Sequence, residues 1–320
     1  MAKEQDVQEM KDLYQRISAS VLSVFVGQES LVRPVIIGLL SGMHVLIEDI
    51  PGVGKTTLAL ALARSCGLDF ARIQFTPDLL PGDIIGMTVW NQELREFQFK
   101  PGAVGHQFIL GDEINRASER TQSALLEAMA EGSVSVDGVS YPLPDPFFVL
   151  ATQNPISFAG TFMLPESQID RFGICSGLGY PGPEAEREIL SRFQENNPLD
   201  TVEAVCTAED IVKARKTLRS VDVRDEVKDY VIGISGATRR DPRFRLGLSP
   251  RGSRHLMLAA QALAAVGGRG FVIPEDVMDA SRFVIPHRIR LSADARNADT
   301  DERSAVAEVV KAVKVPSGLR

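Results

Sequence analysis

The sequence predicts an α/β fold: a five-stranded parallel sheet with helices on both faces, interrupted by two β-hairpin inserts and followed by a smaller all-α unit. Three observations carry this. Short apolar runs at residues 43–48, 71–75, 107–112, 147–151 and 173–180 are separated by connections several of which carry helical patterns, notably 118–131. Parallel strands need such crossover connections. The first run, MHVLIE, leads into Pro51 and Gly52 and then an Ala- and Leu-rich stretch at 56–63, the order strand, glycine loop, helix. After Pro181-Gly182-Pro183 the β-branched runs fade, and helical patterns occupy residues 184–194, 208–218, 224–237 and 250–266.

Each element has its own signature. Val7, Met10, Leu13, Ile17, Val21 and Val24 recur at three- and four-residue steps, which predicts an amphipathic helix over residues 5–25 docking on the core. Two segments break the strand and helix alternation. Residues 89–93 and 97–99 place period-two aromatics around a polar turn, and residues 133–141 set Asp137-Gly138 between alternating apolar positions, the stronger hairpin signal. The expected division is residues 1–181 as a nucleotide-binding α/β domain and 182–320 as a helical domain, with the tail after Lys311 frayed.

With 320 residues and 44% hydrophobic composition, the chain can bury one α/β core and a second, smaller domain. A net charge of -7 and pI near 5.3 give no sequence-independent attraction to nucleic acid, so a protein or small-molecule partner fits better. Cys66, Cys175 and Cys206 lie far apart without CxxC spacing, so buried free thiols are expected rather than disulfides or zinc. The charged N-terminus lacks a secretory core, and the apolar stretches at 35–40 and 256–266 are too short to span a bilayer. No membrane insertion and a cytoplasmic location are the expectation.

The chemistry centres on Pro51-Gly52-Val53-Gly54-Lys55-Thr56. Glycines let a backbone curl until its N–H groups point at phosphate oxygens, and the following helix N-terminus adds a favourable dipole. Lys55 would contact the β- and γ-phosphates and Thr56 a Mg²⁺ ion, so ATP and Mg²⁺ are the expected cofactors. Thr57 completes the expected binding stretch. The pattern G-x-x-x-x-G-K-[ST] asks for glycine at position 49, where this chain has Asp49. Some 55 residues on, an apolar run ends in Asp112-Glu113, adjacent carboxylates with a natural division of labour. Asp112 would hold Mg²⁺ through its water shell and Glu113 polarise the attacking water. Asn154 ends another apolar run, placed either to orient that water or, before Pro155, to cap a loop.

Taken in order, IEDIPGVGKTTLA, RIQFTPDLLPGDIIG, LGDEINRA, TQSALLEAMAEG, VLATQNP, LPESQIDRF, LSPRGSRHLMLAAQALA and IPEDV resemble the MoxR family of AAA+ ATPases, over residues 47–277. The resemblance implies a five-stranded AAA+ core, a helical lid, ATP hydrolysis and a homo-oligomeric ring, commonly a hexamer. It identifies the two interruptions as the helix-2 insert and the hairpin before the sensor-1 strand. By position it makes Asn154 sensor 1, Arg171 the arginine finger and Arg251 sensor 2, and it puts the adenine pocket at Val26, Gly27 and Gln28. An arginine finger normally serves a neighbour's nucleotide; for Arg251, action in cis or in trans stays open. Arg116, Gln122 and Glu127 resemble the family's interface helix, or form a solvated face.

The resemblance further implies remodelling, maturation or activation of a client protein complex, often beside a von Willebrand factor A domain partner. Trp90 and Phe97 could present apolar surface to such a client, although buried packing is the stronger expectation for these rings. A magnesium-chelatase-like motor subunit shares the inserts and is the alternative. A DNA-acting motor is disfavoured, because residues 135–140 carry Asp137 and no Lys or Arg.

Overall fold

The computed structural model describes residues 3–154, 162–195, 198–298 and 300–316. Pro155 and the end of the tail, residues 317–320, lie outside them.

The chain enters through two helices, α1 (Glu4–Leu22) and α2 (Glu29–Ser41). Strand β1 (Val45–Glu48) and helix α3 (Lys55–Ser65) follow, then β2 (Phe70–Gln74) and the short α4 (Pro81–Ile85). The first hairpin is β3 (Met87–Asn91) with β4 (Glu96–Lys100). Next come β5 (Phe108–Asp112), α5 (Glu119–Glu131), the second hairpin β6 (Ser133–Val136) and β7 (Val139–Pro142), and β8 (Phe148–Gln153). Asp137 and Gly138 both take positive φ at that hairpin's tip, the conformation an Asp-Gly turn supplies.

Strands β2, β5, β8, β1 and β9 (Ile174–Ser176) form one parallel sheet in that spatial order. Successive side chains point to opposite faces, and both faces are covered. Val45, Ile47, Phe108, Leu110, Phe148, Leu150 and Ile174 join one hydrophobic cluster, whereas Leu46, Ile109, Val149, Ala151 and Cys175 join the other. The first face packs on α1, α2 and α3. The second packs on α5, where Leu125 and Leu126 lie one helical turn before Met129.

The expected strand over 173–180 shortens to Ile174–Ser176. The N–H groups of Leu178 and Gly179 leave the ladder and donate to the carboxylate of Asp49 instead. Trp90 and Phe97 also depart from expectation: they pack edge to face on the first hairpin, yet remain 51% and 70% exposed, whereas Phe99 two residues on is stacked on Tyr141 of the second hairpin. Cys66, Cys175 and Cys206 are free and buried.

Beyond β9 the chain is mainly helical: α7 (Pro183–Glu195), α8 (Ala208–Leu218), α9 (Asp225–Arg240), α10 (Pro250–Val266), α11 (Pro274–Val284), α12 (Ala293–Asn297) and α13 (Glu302–Ala312). The short α6 (Glu166–Ile169) precedes β9, and β10 (Phe244–Leu246) pairs with β11 (Arg290–Leu291). Leu256, Ala260 and Leu263 of α10 share a cluster with Val21 of α1 and Ile36 of α2, so the hydrophobic core continues across residue 181. No described helix is long and apolar enough to cross a membrane.

Candidate nucleotide site

The parallel strands end on one edge of the sheet, and that edge gathers the phosphate loop after β1, Asp112 at the end of β5 with Glu113 next to it, and Asn154 after β8. Gly52 and Gly54 take φ of 86° and 90°, a region open to glycine and strained for most L residues. A side chain at 52 would meet nothing within 4 Å, whereas one at 54 would press on the Phe25 ring at 3.3 Å. Gly54 caps α3 without a side-chain bond, leaving first-turn N–H groups to serve an anion. Pro51 is exposed and Val53 half-buried.

Lys55 Nζ donates to the carbonyls of Asp49 and Ile50, at 2.8 and 3.0 Å. Partial burial pushes its pKa down, while Asp49, Asp112 and Glu113 push it back up, so this ammonium senses all three carboxylates. Asp49, only 8% exposed, accepts N–H bonds from Ile50 at 2.8 Å, Leu178 at 2.5 Å and Gly179 at 2.7 Å. The departure from glycine at this position therefore ties the start of the phosphate loop to the segment leaving β9.

Asp112 is buried and held at both oxygens. Thr152 Oγ1 donates to Oδ1 at 2.7 Å, and Arg72 of β2 pairs with Oδ2 at 2.6 Å. A carboxylate has about four acceptor sites, so Asp112 keeps capacity for a metal-bound water, and its oxygen chemistry together with the Thr56 hydroxyl of the phosphate loop fits Mg²⁺. Glu113 stands at φ 55°, ψ 52°, outside the usual range for its type, with its N–H on Thr152 Oγ1 at 2.9 Å. Its carboxylate accepts from Gln74 at 3.1 Å and Arg116 at 2.8 Å. Asn154 O accepts from Asn115 Nδ2 at 3.2 Å, placing the end of β8 against the turn after Glu113.

Beside the loop opens a cavity of about 790 Å³, within the usual size of a small-molecule site. Val26, Gly27, Gln28, Gly52, Val53, Gly54 and Thr57 line one wall. Leu178, Gly179, Tyr180 and Arg192, which the sequence reading missed, line the other. Arg192 of α7 also donates to Ser23 O and Val24 O at 2.7 and 3.3 Å, closing the helix over the loop. Thr152, Arg72 and Gln74 were given no role either; they lie within the quoted segments RIQFTPDLLPGDIIG and VLATQNP, and strand register brings them to the acidic pair.

Arg171 and Arg251 do not line this cavity. Arg171 lies three residues before β9, where Gly173 N–H donates to His44 O just ahead of β1, so it sits at the opposite end of the strands. Arg251 lies in the first turn of α10, whose cap Ser249 donates to Asp170 at 3.0 and 2.9 Å. The Ser249–Asp170 bond thus ties the segments that carry the two arginines to each other. On α5, Gln122 is fully buried and donates to Ala117 O and Phe162 O, so it belongs to neither a solvated nor an exposed interface face, while Arg116 and Glu127 are exposed.

Residues 44–174 match the family model for ATPases associated with various cellular activities (AAA), and residues 236–309 match an AAA lid domain. The chain is 46% identical to the protein YeaC of Bacillus subtilis (strain 168), over 92% of each chain. It is 40% identical to Chaperone MoxR1 of Mycobacterium tuberculosis, over 94% of this chain and 82% of the relative. Protein MoxR of Methylorubrum extorquens is 31% identical over 88% of both. A crystal structure of a candidate ATPase from Cytophaga hutchinsonii superposes with TM-score 0.90 at 34% identity, over 98% of both chains. A strand-loop-helix phosphate site, an adjoining acidic pair and relatives that match nearly end to end lead to one conclusion: the chain is an ATPase belonging to the MoxR family of AAA+ proteins.

Proposed function

We propose that the chain is one subunit of a homo-oligomeric ring, a hexamer, that hydrolyses Mg·ATP between subunits and uses the energy to remodel or mature a client protein. The observation that carries the shared site is the position of Arg171. It lies just ahead of β9, where Gly173 N–H bonds to His44 O before β1, at the opposite end of these strands from the phosphate loop, and it lines no wall of the cavity beside that loop. Its guanidinium therefore serves a phosphate on a second subunit, and Arg251, its segment tied to this one by the Ser249–Asp170 bond, acts in trans as well.

Within one subunit the roles divide by geometry. Loop N–H groups and Lys55 hold the phosphates, and Lys55 exchanges its bonds to the Asp49 and Ile50 carbonyls for phosphate oxygens. Thr56 and, through water, Asp112 would hold Mg²⁺, which would supply charge neutralisation for the phosphates. Glu113 polarises the attacking water once Gln74 and Arg116 release its carboxylate, and Asn154 orients that water. Val26, Gly27 and Gln28 bound the adenine by backbone and shape.

Residues 182–320 act as the lid, with Arg192 as its latch on the cavity. The exposed Trp90 and Phe97 pair supports client contact through the first hairpin. A von Willebrand factor A domain protein is the proposed accessory partner and the cytoplasm the proposed location. The acidic balance and the Asp137 hairpin tip favour a protein client over nucleic acid.

Steady-state phosphate release against protein concentration tests the shared site. Turnover per subunit should rise with assembly, and Arg171→Ala should lose about 10³-fold in rate. Linear activity at every concentration, with unchanged turnover in that variant, would refute it. Capture with Glu113→Gln and ATP, against no nucleotide, identifies the client.

A further inference from the structure

Arg288 is the most deeply buried guanidinium in the described structure with a carboxylate partner, its side chain 1% exposed. Burial pushes its pKa down to about 10, with Asp170 opposing. A charge in such a place persists only if its donors are satisfied. Arg288 Nε donates to Asp170 Oδ1 at 2.9 Å, Nη1 to Gly173 O at 3.1 Å and to Val284 O, and Nη2 to Phe172 O and to His255 Nδ1 at 2.7 Å. One side chain thereby joins the end of α6, the approach to β9, α10 and α11.

What lies between these anchors is informative. Arg171 stands between Asp170 and Phe172, both held by Arg288. Arg251 stands between Ser249 and Gly252, and Ser249 Oγ bonds both to Asp170 and, as acceptor, to Gly252 N–H at 3.0 Å. A Cβ at Gly252 would come within 2.9 Å of Arg288 Cδ and 2.4 Å of Leu248 Cδ1, so the glycine is what lets the buried arginine pass beneath the first turn of α10. Neither the Arg171 nor the Arg251 guanidinium has a hydrogen-bond or ion-pair partner among the described residues. Their backbones are clamped and their charges are left available.

We propose that Arg288, through Asp170 and Ser249, is a positioning residue that sets Arg171 and Arg251 as one rigid pair for the neighbouring subunit's ATP. The proposal rests on the shared site proposed above. Charge stabilises a transition state most when it is already oriented, and two arginines carried on separate elements need a common anchor to reach one phosphoryl group together. Arg288 touches no nucleotide itself; its effect falls on turnover in the next subunit and leaves its own subunit's nucleotide affinity alone.

The test uses the full-length assembled protein with two variants. Arg288→Gln removes the hub. Ser249→Asp retains a good cap for α10 but sets a second carboxylate against Asp170, so it breaks the link if Arg288→Gln fails to fold. In each folded, ring-forming variant, kcat should fall about tenfold or more, as small misplacements of catalytic groups do, with KM for ATP and fluorescent-ADP affinity little changed. Mixing either variant with Lys55→Ala subunits, which keep the arginine cluster but cannot fire their own site, should restore turnover. Arg171→Ala mixed with Lys55→Ala is the control. If the control recovers activity and Ser249→Asp does not, or if Ser249→Asp keeps its kcat, the positioning role is wrong. If the control itself fails to recover, the shared site is wrong and the positioning role falls with it.

Discussion

Asp49 and Gly179 are joined by a 2.7 Å bond from the Gly179 N–H to the Asp49 carboxylate, which fastens the first residue of the phosphate loop to the far wall of the nucleotide cavity. Leu178 N–H shares the same oxygen. Hydrogen bonds to a charged group contribute about 1.5–3 kcal/mol each. Asp49→Gly, which restores the glycine of the general pattern, is therefore expected to weaken fluorescent-ADP binding by about tenfold or more, and Asp49→Asn by less. Equal affinities across the three proteins would show that the clamp is irrelevant to the cavity.

Replacing Glu113 with Gln retains a side chain that Gln74 and Arg116 can crowd but cannot serve as a base. Turnover is expected to fall about 10²-fold or more, as for loss of a general base, with ATP still bound. Single-turnover hydrolysis and equilibrium ATP binding measure the two separately. Loss of binding with normal single-turnover rate would reverse the assignment.

Arg72 donates to Asp112 Oδ2 at 2.6 Å, where in the proposed site it would compete with a metal-bound water. Its side chain is 48% exposed, so the pair is discounted for solvent to about 0–1 kcal/mol. Arg72→Gln should lower the Mg²⁺ concentration for half-maximal hydrolysis, by up to about fivefold. A rise in that concentration would mean that Arg72 orients Asp112 instead.

Three buried histidines make the fold acid-sensitive. Burial lowers His44 to about 4 and His255 to about 3, and lowers His287 well below its ordinary value, with Arg288 adding to the last two. His44 accepts from Val149 N–H at 3.0 Å, a bond its protonation would destroy. An unfolded histidine titrates near 6.5, so below that pH the unfolded chain binds more protons than the folded one. Stability is complete above about pH 6.5 and falls toward pH 4, by up to about 1.4 kcal/mol per pH unit for each histidine. Urea midpoints should drop between pH 6.5 and 5, before most carboxylates titrate. Flat midpoints there would contradict the buried neutral imidazoles.

Much of this architecture was legible because it rests on local pattern. The helices at 208–218 and 250–266 appear with the expected bounds, since each has an apolar stripe and a Thr207 or Ser249 cap. Helix α2 gave no such signal: Pro34 lies within it and residues 34–41 are buried throughout, leaving no polar stripe to set a period. Strand β9 was expected too long because the Asp49 carboxylate, 129 and 130 residues away from Leu178 and Gly179, captures the N–H groups that would have continued it. At the site, Lys55, Asp112 and Glu113 announce themselves by spacing. Thr152, Arg72 and Gln74 do not, because cross-strand register has no counterpart in linear order, and Arg288 carries no motif beside the Asp170 it holds.

The shared site is tested most directly by mixing two inactive proteins, Lys55→Ala and Arg171→Ala, under ring-forming conditions and measuring phosphate release. An interface where the Arg171→Ala subunit binds ATP and the Lys55→Ala subunit supplies the arginine is intact, so activity should appear in the mixture that neither protein shows alone. Activity that stays at the level of the separate variants, with mixed rings demonstrated, would contradict a site built between subunits.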